Sequence, residues 1–528
     1  MISTPRVDDV CILIEGTYPY VSGGVSSWLH DIIRGHPELS FSILNIGSHV
    51  GVYGKPRYVL PDNVAALHHI YCHEAIPGVL TNARRDALND EIRVLRNQRD
   101  TRVGPSRVLS ALKRLHLGDA VDAGLLADLV SDDLSVGAFL HGRESFQFMS
   151  EMAEQLAPET PFLEFFWHCR SIHVPILRLL SAPIVPARSY HALSTGYAGL
   201  VGAAFSVRSG RPLVVTEHGI YTRERDIDLA NAVWIKDQSD GLEEEMGFAP
   251  TPSPLRRVWS RSFAALAKVA YHQAARLVTL SDANRAREIA DGAAASKITI
   301  VPNGVDVDMT DLPTDVVPPP KLQVVRDAGT QDVVPCHRPR LRVGFVGRVV
   351  PIKDVITFIK ACNLAMATVD LDVRIIGPAE EDPPYAQRCR NLVETLGRVD
   401  TIKFVGPMPS HLIYRDLDVV VLTSFSEGQP LVMLEAYAAG LPAIATDVGA
   451  CREMIEGVNP ADHELGPSGF VTRVATPIET ARAMITLAQD PALRRRFGAA
   501  GRHRVVGFYQ RRDMIQSYRA IYQDMVSS

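Results

Sequence analysis

The stretch "DVVVLTSFSEGQPLVMLEAYAAGLPAIATD", residues 418–447, carries a complete strand–helix–strand unit. A Val/Leu run ends in a polar loop, a helix pattern runs through "PLVMLEAYAAG", and "LPAIATD" begins a second apolar run. Neither run alternates with polar residues, so both read as strands covered on two faces, as in a parallel sheet sandwiched between helices. The same alternation extends outward. "LRVGFVG" precedes a helix pattern from Asp354 to about Met366, "LDVRIIG" precedes a charged helix over about 384–396, and "TIKFVG" follows. Short Val/Ile-rich runs interleaved with helices define a doubly wound α/β sheet. Such sheets bind ligands at the C-terminal ends of their strands.

The first half repeats the theme less regularly, with "VCILIEG", "FSILNIG", "RPLVVTEHG" and "ARLVTLS" as strands. A charged, helix-prone insertion over about 80–135, including "NARRDALNDEIRVLRNQRD", reads as a solvated helical face. Residues 307–340 hold three consecutive prolines and little periodicity, so they read as a linker or surface excursion. The expected organisation is a first domain over 1–306, the linker, a second domain over 341–510 and a C-terminal helix over 511–528. Met514, Tyr518, Ile521 and Met525 form one stripe of that helix, expected to pack back on the first domain. Two doubly wound domains imply a cleft between facing strand ends.

At 528 residues the chain is long enough for two to four cores. Hydrophobic content of 46% with 22% charged residues is globular, and a net charge of −5 argues against nucleic acid as the main partner. Seven scattered cysteines without a C-x-x-C pair speak against a disulfide framework or structural zinc, and for a reducing cytoplasm. The first apolar run, Val10 to Ile14, is too short for a signal peptide, and no apolar stretch of about 18 residues reads as a membrane span.

Glu427 falls in the loop after "DVVVLTS" and Glu435 within the following helix. Two carboxylates and the main chain of Gln429, Pro430 and Leu431 at the helix start suit a hydroxyl-rich, anionic ligand. Equally, Glu427 could be a dipole-stabilised N-terminal acid and Glu435 a surface residue. Arg348 and Lys353 follow the strand "LRVGFVG", where two cations can hold a diphosphate or form structural salt bridges. His218 ends the strand "LVVTEH", with Gly219 beside it and Arg223 and Arg225 beyond; a lone histidine there is either functional or a satisfied structural group. Asn303–Gly304 is a favoured turn pair. Tyr18, Arg223 and Asn303 are candidates for the acceptor or cleft. "EGTYPYVSGGVSSW", with Gly23 and Gly24, opens a helix but fits neither the dinucleotide fingerprint nor the P-loop.

The double-glycine loop, E-H-G, P-N-G-V-D, G-R-x4-K and S-x-x-E-G-x5-L-E-A occur here in one order. This set resembles the retaining, nucleotide-sugar-dependent glycosyltransferases of the GT-B fold, the glycogen-synthase-like family 4 type, with two facing Rossmann-like domains. Within that family, "ILIEGTYPYVSGGVSSWLHDII" and "TEHGIYTRERDIDL" are most similar to the cytosolic glycosyltransferases of Pel exopolysaccharide biosynthesis. The resemblance implies a catalytic set of His218, Arg348, Lys353 and Glu427. Arg348 and Lys353 would neutralise the departing diphosphate, and Glu427 would hold donor-sugar hydroxyls. Gln429, Pro430 and Leu431 would close over sugar and phosphate, and Glu435 would bind ribose. His218 would approach the transferred sugar, and Gly23 and Gly24 would lie against the diphosphate or acceptor.

The family relation further implies a UDP-sugar donor, a growing polysaccharide acceptor, inner-membrane synthase partners, and neither metal nor cofactor. Three departures stand out. Gln429–Pro430 replaces an aromatic–glycine pair, Asp354 replaces the usual glycine after the motif lysine, and the proline-rich segment is long. The competing readings are a non-hydrolysing nucleotide-sugar 2-epimerase and a catalytically silent sugar-nucleotide-binding subunit.

Overall fold

The computed structural model describes residues 7–73, 106–232, 234–235, 253–307 and 339–527. The charged stretch 82–100 and all but the ends of the proline-rich 307–340 segment lie outside the described residues. The chain divides into two compact units, Met1–Val301 with Ile515–Ser528, and Pro302–Met514.

In the first unit, seven parallel strands form one sheet: β1 (Asp8–Glu15), β2 (Phe41–Gly47), β3 (Val64–Tyr71), β4 (Ala187–Ala192), β5 (Leu213–Glu217), β6 (Arg276–Thr279) and β7 (Ile298–Ile300). Their spatial order is β3-β2-β1-β4-β5-β6-β7, so the winding direction reverses between β1 and β4. Val10 to Leu13 of β1 are wholly buried, the two-sided burial that an unbroken apolar run anticipates.

A helical layer intervenes between β3 and β4, and it corrects the solvated-face reading of the insertion where the insertion is described. The helix Arg107–Leu117 buries Val108, Leu109, Ala111, Leu112 and Leu115. Ser106, Asp122 and Ser135 each cap a helix start by accepting from the main-chain N–H three residues on.

The C-terminal helix Arg511–Ser527 adds to this unit from Ile515 onward. Its stripe of Met514, Tyr518, Ile521 and Met525 is at most 5% exposed. Tyr522 Oη lies 2.8 Å from His191 Nδ1, and Tyr518 Oη lies 2.9 Å from Thr216 Oγ1.

In the second unit six parallel strands form the other sheet: β8 (Arg340–Val346), β9 (Asp370–Ile376), β10 (Ile402–Gly406), β11 (Val419–Leu422), β12 (Ala443–Thr446) and β13 (Gly469–Thr472). The order β10-β9-β8-β11-β12-β13 starts at β8, winds outward to β10, and returns to β11 on the other side of β8. Along β11, Val419 and Val421 enter one core and Val420 and Leu422 the other, as the two-residue period of a strand requires. The C-terminal ends of β8 and β11 therefore flank the topological switch point, where open α/β sheets leave a crevice.

The boundary after Val301 precedes the expected one, because Pro302–Val307 belongs to the second unit. Val305 pairs with Gln510 in an isolated bridge, and its N–H donates to Tyr509 O at 3.0 Å. Deeper in this unit Arg504, 0% exposed, donates to Asp462 Oδ1 at 2.5 Å and to four main-chain carbonyls.

Candidate active site

The second unit gathers most of the predicted residues on the loops after β8 and β11. The β8 loop begins at Gly347, where β8 and β9 end so close together that a Cβ on Gly377 would lie 2.1 Å from Gly347 O. It ends in the 3-10 turn Pro351–Lys353 and then Asp354, whose φ of 45° is left-handed. That backbone favours glycine, and aspartate is among the few other residues that tolerate it. Asp354 also caps the next helix, Val355–Ala365, its Oδ1 accepting from Thr357 N–H at 3.1 Å. The aspartate in the family's glycine position is thus accommodated by turn and cap together.

The β11 loop is stitched to the β8 loop. Phe425 N–H donates to Ile352 O at 2.8 Å, and Thr423 Oγ1 donates to the carbonyls of Lys353 and Asp354 at 3.2 and 2.8 Å. This brings Lys353 Nζ within 2.6 Å of Glu427 Oε1, which also accepts from Ser424 Oγ at 2.5 Å. The Glu427 side chain is 8% exposed and that of Lys353 23%. Gly449 backs the loop, since a Cβ there would lie 2.0 Å from Glu427 O. Arg348 points elsewhere, to Glu381 in the loop after β9, at 2.5 Å with both side chains largely exposed. The salt-bridge alternative for both cations is therefore realised, with a separate acid for each.

Glu435 is only partly exposed and is engaged by a neighbouring side chain, unlike the free surface residue of that alternative. It sits on the helix Leu431–Ala438 and accepts from Tyr414 Oη at 2.5 Å. Burial raises its carboxyl above the usual glutamate range, opposed by the Tyr414 hydrogen bond and the charge of Arg511. Pro430 precedes this helix without a capping side chain. Gln429 is 5% exposed, its Oε1 accepting from Asn303 N–H at 2.6 Å and its main-chain oxygen from Asn303 Nδ2 at 3.0 Å. Asn303, expected to serve the acceptor or cleft, is instead buried beside the Glu427 loop.

In the first unit His218 follows β5, and its ring meets Trp28 edge-to-face at 4.4 Å. Its Nε2 is buried without a hydrogen-bond partner, and burial lowers its pKa to about 4, so the ring is neutral at pH 7. Its neighbour Glu217 accepts from Thr195, Tyr271 and the Tyr221 main chain.

Gly23 and Gly24 are exposed at the start of the helix Gly24–Gly35. Gly23 is extended, and a Cβ there would meet nothing within 4 Å, so neither backbone nor packing within this unit demands glycine at Gly23. Tyr18 corrects an expectation. It is 0% exposed, its ring tilted against that of Tyr58 at 5.2 Å with its Oη 3.1 Å from His30 Nδ1, and serves as packing rather than as an acceptor contact. Arg223 is exposed on the helix Tyr221–Ala230.

Ser424, Glu381, Tyr414 and Trp28 escaped the sequence reading. Ser424 carried a signal, lying within the same motif three residues before Glu427. The other three reach their partners only through tertiary packing. Among the described residues no group of three or more His, Cys, Asp or Glu could hold a metal ion, and no helix is long and apolar enough to cross a membrane.

Two parallel α/β sheets, each with its own topological switch point, give the GT-B fold, and solved structures agree with it. The Anabaena protein HepE, solved with UDP and glucose, superposes with a TM-score of 0.55 at 17% identity, covering 98% of this chain and 99% of that one. Sucrose-phosphate synthase from Thermosynechococcus elongatus superposes with a TM-score of 0.54 at 15% identity, covering 98% of this chain and 99% of that one. Residues 337–504 match the family described as "Glycosyl transferases group 1".

The chain belongs to the family described as "Domain of unknown function (DUF3492)", which matches residues 8–296, more than half of its length. It is similar to a D-inositol 3-phosphate glycosyltransferase of Kineococcus radiotolerans, 27% identical over 68% of this chain and 86% of that protein. It is also similar to an MMP α-(1→4)-mannosyltransferase of Mycolicibacterium hassiacum, 24% identical over 61% of this chain and 67% of that protein.

Proposed function

We propose that this glycosyltransferase moves a hexose from a UDP-sugar to a growing exopolysaccharide with retention at the anomeric carbon. The observation that carries the reading is the Lys353–Glu427–Ser424 cluster at the switch point, with Arg348 and Glu435 on the flanking elements. Lys353 and Arg348 exchange their carboxylate partners for donor diphosphate oxygens and stabilise the charge of the leaving group without a metal. Glu427, released from Lys353, accepts from donor-sugar hydroxyls, and Glu435 accepts from ribose. Catalysis is then positioning plus electrostatic stabilisation while the acceptor oxygen bonds to the anomeric carbon on the face from which the diphosphate leaves, its proton passing to the departing diphosphate oxygen.

The UDP-bound HepE structure, on the same fold, supports the choice of base. The likeness of the first-half motifs to Pel-system enzymes supports the acceptor, a cytoplasmic location and membrane-embedded synthase partners. The roles of His218, Gly23 and Gly24 toward sugar and diphosphate belong to this proposal.

The test is titration calorimetry against UDP-, GDP- and ADP-sugars in EDTA, followed by product analysis by NMR. Micromolar UDP-sugar binding and nucleoside diphosphate released in step with a product of the donor's own anomeric configuration support the reading, whereas the opposite configuration refutes retention. Interconversion of the nucleotide sugar without lasting release identifies an epimerase, and binding without turnover a silent subunit.

A further inference from the structure

The contact between Asn303 and Gln429 ties the Glu427 loop to a segment outside the loops after β8 and β11. Both residues are 5% exposed and are joined by two hydrogen bonds running in the same direction, from Asn303 to Gln429. The shorter one, from a main-chain N–H at 2.6 Å, can only end on an oxygen. It therefore fixes which way the Gln429 carboxamide is turned. The longer one ends on the carbonyl of Gln429, the peptide that leads into Pro430.

Asn303 is the anchored partner of the two. A Cβ on its neighbour Gly304 would lie 2.5 Å from the Gln510 carbonyl, so that turn fits closely against Gln510. Val305 N–H donates to Tyr509 O at 3.0 Å, Arg511 N–H donates to Val305 O at 3.2 Å, and Asp306 pairs with Arg511 at 3.0 Å. On its other side the loop is held at Gly428, whose carbonyl accepts from Ala450 N–H at 2.8 Å. Pro430 has no N–H to give, and the helix Leu431–Ala438 begins without a capping side chain. The placement of the Leu431 and Val432 amides thus follows from where the Gln429 peptide is held. Asn303 Oδ1 has no hydrogen-bond partner, which leaves Gln429 as the polar contact its side chain makes.

We propose that Asn303 is a positioning residue for the donor: by clamping Gln429 it sets the loop and helix start that close over the sugar of the nucleotide sugar. This rests on the donor-site reading above. The clamp should matter for the sugar and little for the nucleoside diphosphate, whose cationic and ribose contacts lie on Arg348, Lys353 and Glu435.

The experiment compares the full-length wild type with Asn303→Asp, Asn303→Ser and Gln429→Met. Calorimetry is run with UDP and with the UDP-sugar the wild type binds best among UDP-glucose, UDP-galactose and UDP-N-acetylglucosamine. Asn303→Asp turns the donor toward the Gln429 carbonyl into an acceptor, and Gln429→Met removes the oxygen that receives the main-chain bond. Each should weaken UDP-sugar binding about tenfold, equal to about 1.4 kcal/mol, and raise donor KM alike. UDP affinity should stay within about twofold and kcat within about threefold. Asn303→Ser keeps the main-chain bond and should lose about threefold, which preserves a reading if the aspartate variant folds poorly.

Equal losses for UDP and UDP-sugar, or unchanged UDP-sugar binding in all three variants, would overturn the proposal. A wild type that binds neither UDP nor any UDP-sugar overturns the donor-site reading and the clamp with it.

Discussion

Replacing Lys353 with methionine should separate what the Lys353–Glu427 pair does for the fold from what it does for chemistry. The side chains are close in length, so the substitution removes a charge more than a shape. Nζ and Oε1 stand 2.6 Å apart, and at an effective dielectric of about 20 their gross attraction is roughly 6 kcal/mol. Desolvation of both groups offsets most of that. An exposed pair nets about 0–1 kcal/mol, whereas stranding one partner of a fully buried pair costs about 3–5.

With side chains 8% and 23% exposed, this pair lies nearer the buried case, and Ser424 continues to serve the carboxylate. Lys353→Met should therefore destabilise the second unit by about 2 kcal/mol. Glu427→Gln should cost about 1 kcal/mol or less, because the more exposed lysine can turn to water. In the double variant stability should recover by about 1–2 kcal/mol relative to the sum of the single changes.

Activity should not follow that recovery. Each single variant should lose at least about tenfold in kcat/KM and the double variant no less, since the donor needs both groups. The assay is urea unfolding read by far-UV circular dichroism beside UDP-sugar turnover, because all four tryptophans precede Pro302 and report on the first unit alone. Stability changes below about 0.5 kcal/mol in both single variants, or activity returning together with stability in the double variant, would refute the reasoning.

Asp354→Ala should cost about 2 kcal/mol, from a lost helix cap and a Cβ held left-handed without compensation, and Asp354→Gly about 1 or less; thermal unfolding of the two variants ranks them. Arg504→Met strands Asp462 at 0% exposure and should cost about 3–5 kcal/mol in denaturant unfolding, whereas Arg452→Ala, whose pair with Asp447 is about half exposed, should stay within about 0.5. Burial raises the carboxyls of Glu217 and Glu288 above the ordinary 4.5, with a further push from the charge of Glu224 on the first and of Glu217 on the second. The folded state then holds protons that the unfolded chain releases, so first-unit stability falls as pH rises from about 4.5 through neutrality. Tryptophan-detected urea unfolding at pH 5 to 8 should show that slope in the wild type and a flatter one in Glu288→Gln.

The second sheet was legible because strands buried on both faces leave unbroken apolar runs such as "LRVGFVG", bounded by glycines that the strand ends require. The first was harder to read. Its edge strand β3 exposes His68 and His69, and a helical layer separates β3 from β4. The candidate site residues, their order along the chain and the strand ends that carry them are properties of the sequence alone.

Tertiary structure alone decided who meets whom. Lys353 and Glu427 are 74 residues apart and touch only because parallel pairing returns β11 to the side of β8. Pairing of β8 with β9 brings Arg348 to Glu381, and the helix after β11 sets Glu435 against Tyr414. Asn303 joins the Glu427 loop because Val305 pairs with Gln510, far along the chain. Local pattern is set by burial period and turn chemistry within a few residues. Pairings of charge and amide depend on sheet order and crossover, which no short stretch encodes by itself.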